Sequence, residues 1–347
     1  MIFLGDLACP EERIDSFLKW TNNEQVFTNQ TVILNFEANI IDDVSERKNL
    51  TLYNISRITG MFPHARKVIV SLANNHMYDY PEKILKTQKI LEENGISCFG
   101  LYEEGVIKPF IFEEHGVKYA LFGHCWRLYT KTNSNKENNV RVVDCPYDEF
   151  VDAVRCFISN NQSIKTYCFM HWNYDMEKLP LPMLRKLSRK LIDVGACAVI
   201  GGHSHRPQGM EIYKNKPVVY CMGNFFLPSG IYFNGKLCYP ECSKETYAVN
   251  IDNDKTDIIW YRTDINQSTP LEFVCREPLL VGEKCAEYSP FREMNDADYL
   301  SYFAKKRNKK KLVAKFSQYF GVSYQLNEKW AIARVKIIRT LKGLINK

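Results

Sequence analysis

Residue types that bind metal ions recur along this chain at the ends of short apolar segments. The candidate ligands are carboxylates, an amide and imidazoles: Asp6, Glu37, Asn75, His171, His203 and His205. Taken singly, each has a structural explanation, because histidines often bond within loops and Asp, Glu or Asn often caps a helix or fills a turn. Five successive apolar segments that all end this way favour a shared metal site with nitrogen and oxygen ligands.

Two of these candidates, His203 and His205, are separated by a single residue. In an extended segment, residues i and i+2 project from the same face, so both imidazoles are expected to reach neighbouring metal ions. His76 directly follows Asn75, and Asp79 lies one turn further along the chain. The spacing therefore predicts a cluster of ligands with additional polar groups beside it.

The elements that must position these side chains alternate between strand and helix. Apolar runs of strand length lie at residues 2–4, 31–36, 67–73, 164–172, 197–202 and 216–224. Amphipathic segments typical of helices lie at residues 12–20, 81–94, 147–161 and 181–195. This alternation predicts an α/β core with parallel strands, and ligand sites in such sheets form at the carboxyl ends of the strands.

Beyond residue 229 the pattern changes. Residues 246–252 and 256–262 flank a turn at residues 253–255, which predicts a β-hairpin that completes a sheet. From about residue 297 the sequence becomes helical and basic. We therefore expect a main domain over residues 1–290 and a basic helical C-terminal segment over residues 291–347.

The segments that carry the candidate ligands resemble the CapA-like capsule and poly-γ-glutamate synthesis proteins, which belong to the calcineurin-like metallophosphoesterase superfamily. The matching stretches follow the family's order over about 225 residues: GD at 5–6, NFE at 35–37, ANNHMYD at 73–79, HWNYD at 171–175, GGHSHRPQGME at 201–211 and YCMGNFF at 220–226. The resemblance implies an α/β fold, a four-layer sandwich of two mixed β-sheets flanked by helices, with a two-metal site.

The resemblance also implies a role for each residue. The implied ligands are Asp6 and His205 for one ion, and Asn75, His171 and His203 for the other. Glu37 would lie between the two ions, and His76, counted with Asn75 as catalytic, would contact the substrate phosphate and protonate the leaving oxygen. The cofactors would be two divalent ions, of which Mn, Fe or Zn suit the mixed ligands, and they would acidify an attacking water.

Three features depart from the family pattern. Position 8 is Ala8 where many superfamily members have His, so one ion would lack an imidazole ligand. Asn173 and Asp175 stand where the family usually has Gly and Glu, and Pro81 follows Asp79 where Gly is common. These changes leave the implied ligands in place but could reshape the pocket around them.

Three further residues lie close to the candidate ligands in the sequence. His124 ends another apolar run, which leaves open whether its imidazole enters the site or packs against the core. Gln208 and Glu211 follow the double histidine, and we expect them to orient its rings by hydrogen bonding.

The composition is that of a soluble globular protein, with 347 residues, 45% of them hydrophobic and 25% charged. No apolar stretch reaches the roughly 18 residues needed to span a membrane. The first ten residues lack a basic region, so no secretory signal is expected and the predicted location is the cytoplasm. The 12 cysteines include no CxxC pair, and we expect them to be reduced.

Charge is distributed unevenly along the chain. Residues 301–347 contain 13 Lys and Arg and one acidic residue, a balance of +12, which leaves 33 basic and 39 acidic residues elsewhere. In the last helical pattern the apolar positions are Trp330, Ile332, Val335, Ile338, Leu341 and Ile345. Such a helix either packs on its own domain or binds an anionic membrane surface or a membrane synthase complex. No nucleic-acid recognition motif accompanies the charge, so nucleic acid is not expected as a partner.

The leading hypothesis is a metal-dependent phosphoesterase-type hydrolase that acts on a phosphorylated or polyanionic substrate in capsule, cell-surface polysaccharide or polyanionic polymer biosynthesis. Two alternatives stay open. One is a catalytically degenerate binding or assembly module of a membrane polymer synthase, and the other is a metal-dependent amide hydrolase or transferase on a glutamyl polymer. Substrate specificity is expected to lie in the loops at residues 125–145 and 227–245.

Overall fold

In the computed structural model, most of the strands form two large mixed β-sheets, and four short strands form two separate pairs. The backbone is described for residues 1–130, 140–252, 255–266, 269–308 and 312–345, and side chains in these ranges except at 264–266, 269, 339 and 341–345. The strands are β1 Ile2–Leu7, β2 Thr31–Phe36, β3 Asn39–Ile40, β4 Tyr53–Asn54, β5 Lys67–Ser71, β6 Ile96–Phe99, β7 Phe110–Glu114, β8 Val117–Cys125, β9 Lys165–His171, β10 Ala198–Gly202, β11 Met210–Tyr213, β12 Lys216–Val219, β13 Asn224–Phe226, β14 Gly230–Tyr232, β15 Gly235–Leu237, β16 Glu245–Asp252, β17 Lys255–Asn266 and β18 Thr269–Pro278. The helices are α1 Ile14–Asn23, α2 Ile84–Glu93, α3 Arg127–Thr130, α4 Tyr147–Asn160, α5 Pro182–Asp193, α6 Glu283–Tyr288, α7 Asp296–Lys306 and α8 Gly321–Ile345.

The first sheet has the strand order β18-β17-β16-β1-β2-β5-β6, with β13 also paired to β1. Strands β1, β2, β5 and β6 are parallel to one another, whereas β16, β17 and β18 form an antiparallel extension. The hairpin predicted after residue 229 is therefore confirmed in its strands, β16 and β17. Residues 253 and 254 of its predicted turn lie outside the described residues.

The second sheet has the strand order β11-β12-β10-β9-β8-β7. Its four central strands, β12, β10, β9 and β8, are parallel, and an antiparallel strand closes each edge. Both sheets thus combine parallel and antiparallel strands, as expected of a mixed α/β fold. The predicted architecture is confirmed in this respect.

Alternation along the buried strands explains why helices cover both outer faces. Phe3 and Ile33 of the first sheet pack with Phe169 and Ile200 of the second, which forms the core between the sheets. The neighbouring residues in these strands face outward, where one set packs against α1 and α2 and the other packs against α4, α5 and α7. Because both faces of both sheets are buried, the strands read as continuous apolar runs. The result is four layers: helix, sheet, sheet and helix.

The predicted strand at residues 216–224 is two strands instead of one. The chain leaves the second sheet after β12 and joins the first at β13, and Gly223, with φ of +86°, lies in the connection. Gly5 permits this crossing, since a Cβ at that position would lie 1.9 Å from the Gly223 carbonyl oxygen. The connection holds the two sheets together beside the end of β1.

Several described residues from 291 onward pack against the outer face of the second sheet and its helices. Tyr299 and Phe303 of α7, Phe316, and Tyr324 of α8 belong to the same apolar cluster as α4 and α5. The proposed boundary at residue 290 stays a prediction. None of the described helices combines the length and hydropathy that a membrane span requires. All 12 cysteines are free thiols, and six of them are buried.

Candidate metal centre

The candidate ligands converge where the parallel strands of both sheets end. Asp6 lies near the end of β1, Glu37 directly follows β2, and Asn75 lies in a 3-10 turn after β5. In the second sheet, His171 is the last residue of β9 and His203 directly follows β10. The sheets face each other, so their carboxyl edges bring these five side chains into one buried cluster with His205.

His171 lies at the centre of this cluster. Its Nε2 atom is 2.8 Å from Asn75 Oδ1, 2.9 Å from His203 Nδ1 and 3.4 Å from Glu37 Oε1. Burial lowers the pKa of His171, and the neighbouring His203 lowers it further. The neutral imidazole is the form that binds metal ions, so this environment favours ligation over protonation.

Asp6 and His205 lie together on the other side of the cluster. Asp6 Oδ2 accepts a hydrogen bond from the His203 backbone N–H at 3.0 Å and lies 3.9 Å from His205 Nδ1. Asn35 Nδ2 donates to Asp6 Oδ1 at 2.8 Å, and His205 Nδ1 lies 2.9 Å from Asn224 Oδ1. The two asparagines therefore orient the candidate ligands from behind.

Glu37 tests whether this site fits a metal ion. Its side chain is fully buried, and neither carboxylate oxygen has a hydrogen-bond partner among the described residues. Burial raises the pKa of Glu37, and the neighbouring Asp6 carboxylate raises it further. A buried carboxylate without a hydrogen-bond partner is energetically costly unless a cation accompanies it. The residues present therefore fit a metal site.

Two groups of ligand atoms share Glu37. One group is Glu37, His203 and His205, the other is Asp6, Glu37 and His171, and within each group the ligand atoms lie within 4.8 Å of one another. Both groups are buried. Their overlap at one carboxylate is an arrangement that can bind metal through nitrogen and oxygen atoms.

His76 lies beside this cluster, with its side chain 24% exposed. Its Nδ1 atom is 2.7 Å from Asp79 Oδ2, and its Nε2 atom is 4.0 Å from Glu37 Oε1. Burial opposes protonation of His76, but the Asp79 carboxylate outweighs it and the pKa is raised. His76 is therefore the candidate residue that combines access to solvent with a fixed ring orientation.

The family model described as bacterial capsule synthesis protein PGA_cap matches residues 9–229. The chain belongs to this family. The capsule biosynthesis protein CapA of Bacillus anthracis is 26% identical over 192 residues, which cover 53% of this chain and 46% of that protein. The PGA biosynthesis protein CapA of Bacillus subtilis (strain 168) is 32% identical over 166 residues, which cover 47% of this chain and 43% of that protein.

This capsule synthesis family protein thus spans about half the length of the curated relatives it matches, 46% and 43%. Among solved structures, the putative 5'-nucleotidase from Staphylococcus aureus, in complex with alpha-ketoglutarate, aligns with 86% of this chain and 58% of its own, at 11% identity and a TM-score of 0.42. The NAD nucleotidase NadN of Haemophilus influenzae aligns with 94% and 55%, at 12% identity and a TM-score of 0.37.

At position 8, this member of the capsule synthesis family has no ligand to offer. Ala8 is fully buried in a small apolar cluster, and its backbone N–H donates to the Phe226 carbonyl at 3.0 Å. The ring of Tyr239 lies 5.3 Å from the His205 ring, on the loop that was expected to carry specificity. A phenol therefore lies beside the His205 imidazole.

Two sequence predictions about residues near the double histidine are wrong. Gln208 Nε2 donates to the Glu177 carbonyl at 2.7 Å, and Glu211 accepts from Arg185, Arg189 and Tyr220, so neither residue orients a histidine. Gln208 lies before β11, and Glu211 lies on β11, an edge strand of the second sheet, where its partners are the arginines of α5 and Tyr220.

His124 does not contact the candidate ligands. Its Nε2 atom lies 2.9 Å from the Cys145 carbonyl oxygen, and its ring packs against Tyr147 and Phe150. The geometry therefore supports the interpretation that His124 packs against the core.

The backbone of the double histidine is not extended, contrary to expectation. His203 and His205 have φ of +92° and +56°, backbone conformations that residues other than glycine rarely adopt. The rings still come together, with centroids 5.7 Å apart, although the backbone bends at residues 204–206 instead of running extended. Strain of this kind, about 1–3 kcal/mol per residue, concentrates at functional sites.

Sequence reasoning missed two side chains that contact His203. Asp175 Oδ1 lies 3.1 Å from His203 Nε2, and the Tyr129 ring centroid lies 4.3 Å from the His203 ring. Asp175 was noted only as a departure from the family pattern, and Tyr129 carries no motif. Their contacts depend on loops whose course cannot be deduced from local sequence.

A pocket of about 400 Å³ opens onto the cluster. One side presents polar groups, which include His76, Asp79 and Asp175. The lining also includes residues of α3 and residues of the C-terminal segment between 313 and 335. The basic helical C-terminal segment therefore helps to enclose the candidate site.

Proposed function

We propose that this capsule synthesis family protein is a metal-dependent phosphoesterase-type hydrolase that acts on a phosphorylated or polyanionic substrate in the biosynthesis of capsule, cell-surface polysaccharide or another polyanionic polymer. Glu37 carries the proposal. Its carboxylate is fully buried, lacks hydrogen-bond partners among the described residues and belongs to both groups of ligand atoms. A pair of divalent cations that share this carboxylate would satisfy its charge.

Under this proposal, each ion has its own ligands. The family resemblance assigns Asp6 and His205 to one ion and Asn75, His171 and His203 to the other, whereas the two groups of neighbouring ligand atoms place His205 with His203 and Asp6 with His171. Glu37 would contribute to both, and the mixed nitrogen and oxygen donors suit Mn, Fe or Zn. When bound, such ions lower the pKa of water at the site and polarise phosphoryl oxygens.

His76 would supply the proton for the leaving oxygen. The contact between its Nδ1 atom and Asp79 fixes the ring, at 2.7 Å, and leaves Nε2 as the nitrogen that can serve the substrate. The side chain also lines the pocket, where a substrate has access to it. Proton transfer by a positioned imidazole typically accelerates such a step by about 100-fold to 10,000-fold.

The test combines metal analysis with turnover. Full-length protein reconstituted with Mn or Zn should bind about two ions per chain and hydrolyse bis(p-nitrophenyl) phosphate. His203→Ala should lower the metal content, whereas His76→Ala should keep the metals and lose at least about 100-fold in kcat. His115→Ala, on an imidazole whose side chain is 76% exposed outside the site, is the matched control. Full metal content and full activity in both site variants would disprove the assignment.

The buried Ala8 supports a second candidate, a binding or assembly module with the same fold and a degenerate site. This second candidate predicts metal binding without turnover of any phosphate ester. Activity on γ-glutamyl peptides, but not on phosphate esters, would instead support an amide hydrolase or transferase. For either function we propose a cytoplasmic location beside membrane-bound polymer synthesis, since a basic C-terminal segment suits an anionic surface.

A further inference from the structure

The C-terminal segment forms one wall of the pocket above the candidate metal centre. Val313 and three residues of α8, Ala331, Arg334 and Val335, line the same pocket as His76. Ala331 is buried, whereas Arg334 and Val335 are partly exposed to the pocket. A substrate at the metal centre would therefore also meet a side chain of α8.

Specific contacts hold α8 in this position. Trp126 Nε1 donates to the Tyr324 hydroxyl at 3.1 Å, and this hydroxyl donates to Glu328 Oε1 at 3.2 Å. Arg127 Nε lies 3.3 Å from the same Glu328 oxygen, and Glu328 is buried. Trp126 and Arg127 lead directly into Leu128 and Tyr129, which line the pocket, so the two walls are joined by a buried network.

A second set of contacts joins the C-terminal segment to the loop that carries Asp175. Glu177 is fully buried, and its Oε1 atom accepts from the Asn308 backbone N–H at 2.7 Å. Arg307 Nε lies 3.8 Å from Glu177 Oε2, and Asn308 Nδ2 donates to the Met176 carbonyl at 2.8 Å. The segment is thus held by contacts before Val313 and again at Tyr324 and Glu328, ahead of the α8 residues that line the pocket.

Arg334 is the only Lys or Arg side chain among the described residues that line this pocket. Glu328, the one acidic residue in residues 301–347, is bound to Arg127 and Tyr324. Among the described residues, no carboxylate oxygen lies within 4.0 Å of the Arg334 guanidinium, which is the distance limit for an ion pair. A guanidinium that lines a pocket in this way is suited to bind a carboxylate or a phosphate.

We propose that Arg334 forms a subsite for a second anionic group of the substrate, while the metal centre binds the group that is cleaved. This inference rests on the proposed function. Because α8 closes one side of the pocket, the substrate would be a small molecule or a chain end that carries both a phosphoryl group and a further carboxylate or phosphate. The interior of a long polymer would not pass through this wall.

The test uses binding, so it does not depend on turnover. Alkylphosphonates of increasing chain length are compared with the same series ending in a carboxylate, on the Mn-loaded full chain, by calorimetry. At the best length, the carboxylate should tighten binding by about 10-fold. Arg334→Gln should abolish this preference, and Arg334→Lys should restore part of it. Lys336→Gln, at an exposed position of the same helix that does not line the pocket, should keep it.

Equal affinity for the two series at every length would overturn the subsite, and so would a preference that survives Arg334→Gln. Absence of binding in both series also counts against it. Turnover of bis(p-nitrophenyl) phosphate is measured separately on the same preparations. If the carboxylate preference is intact but there is no turnover, the proposed activity is wrong and the subsite stands. If there is turnover but no carboxylate preference, the subsite is wrong and the proposed activity stands.

Discussion

His171 Nε2 lies 3.4 Å from Glu37 Oε1, and this contact joins the carboxyl edges of two separate sheets. Glu37 directly follows β2 of the first sheet, and His171 is the last residue of β9 in the second. The two ligands are therefore adjacent only when the sheets are packed face to face. Metal binding at this place should stabilise the packed state, because the ligands are not held together in the unfolded chain.

Glu37→Gln separates the charge of this side chain from its size. Because the buried carboxylate lacks a hydrogen-bond partner among the described residues, the metal-free variant should be at least as stable as the metal-free wild type. Affinity for Mn or Zn should fall by at least about 10-fold, since a ligand common to both groups is lost. Thermal unfolding with and without metal measures both effects.

Glu113→Gln is the control for that experiment, since Glu113 is exposed on β7. It should change neither the metal affinity nor the melting temperature of the metal-free protein. A metal-free Glu37→Gln protein that melts far below the wild type would mean that the carboxylate has a stabilising partner in the protein itself. The interpretation of Glu37 as a metal ligand would then be wrong.

Asp79 should act through His76. Asp79→Asn weakens the contact at 2.7 Å that orients the imidazole, so kcat should fall by about 10-fold to 100-fold while the metal content is kept. In the His76→Ala background, the same change should have almost no effect, because the side chain that Asp79 positions is gone. Steady-state kinetics on the wild type, the two single variants and the double variant measure this coupling. Additive losses would show that Asp79 has an independent role.

Much of the fold follows from the sequence because local patterns mark individual elements well. Continuous apolar runs identified β2 and β9, and Gly195, with φ of +112°, ends the helix that was predicted to stop there. The convergence of candidate ligands was also predictable. Parallel strands place their ends at one edge of a sheet, so side chains that follow these ends, such as Glu37 and Asn75, are expected to lie close together.

The surroundings of the site were less predictable because they depend on long-range packing. The pairing of β13 with β1 requires a crossing between sheets that no local pattern encodes. The position of Arg334 in the pocket wall depends on contacts between α8 and Trp126, which are nearly 200 residues apart. The predicted link between Glu211 and the histidines failed for the same reason, since sequence proximity along an edge strand does not fix which neighbour the side chain meets.

Glu211 belongs to a buried ionic network whose role should be structural. It lies 2.9 Å from Arg185 Nη2 and 3.0 Å from Arg189 Nη2, and both Arg185 and Glu211 are almost fully buried. Glu211→Gln should lower the free energy of unfolding by about 3 kcal/mol, because a buried arginine loses its counter-charge. Asp193→Asn, which breaks the exposed pair with Lys214, should cost less than about 1 kcal/mol. Urea denaturation measures both, and loss of bound metal in Glu211→Gln would instead support the role expected from the sequence.

His124 should make the stability of the protein depend on pH. Burial lowers the pKa of His124 to about 4, and the unfolded value is near 6.5. The unfolded chain therefore binds the proton more readily, so the stability is full above pH 6.5 and is lost as the pH falls toward 4. Between pH 7 and pH 5 the wild type should lose about 2 kcal/mol more than His124→Gln. His115→Gln, at an exposed site, should behave like the wild type, and identical pH profiles for wild type and His124→Gln would contradict this account.

The exposed face of α8 differs from the apolar face expected from the sequence. Ile332 packs against the core and Val335 lines the pocket, whereas Trp330 is half-exposed. The exposed large apolar side chains among the described residues of α8 form a stripe at helical spacing, made of Val322, Leu326, Trp330 and Ile337. Lys329 and Lys336 are exposed on the same helix. One face of α8 packs on the domain, and the other exposes apolar and basic side chains. This arrangement fits the predicted contact with an anionic membrane surface, which stays a prediction.

We expect the full chain to sediment with vesicles that contain phosphatidylglycerol and not with neutral vesicles, and to be released by salt. Each basic residue near an anionic surface contributes about 1 kcal/mol, so reversing the charges of Lys329 and Lys336 to Glu should weaken binding by at least about 10-fold. Leu326→Ser should weaken it as well, since shallow insertion needs the apolar stripe. Arg334→Gln is the matched control and should bind like the wild type, because that side chain lines the pocket. If the intact chain ignores anionic vesicles at low salt, the stripe is not a lipid-binding face and the basic segment acts only within the protein.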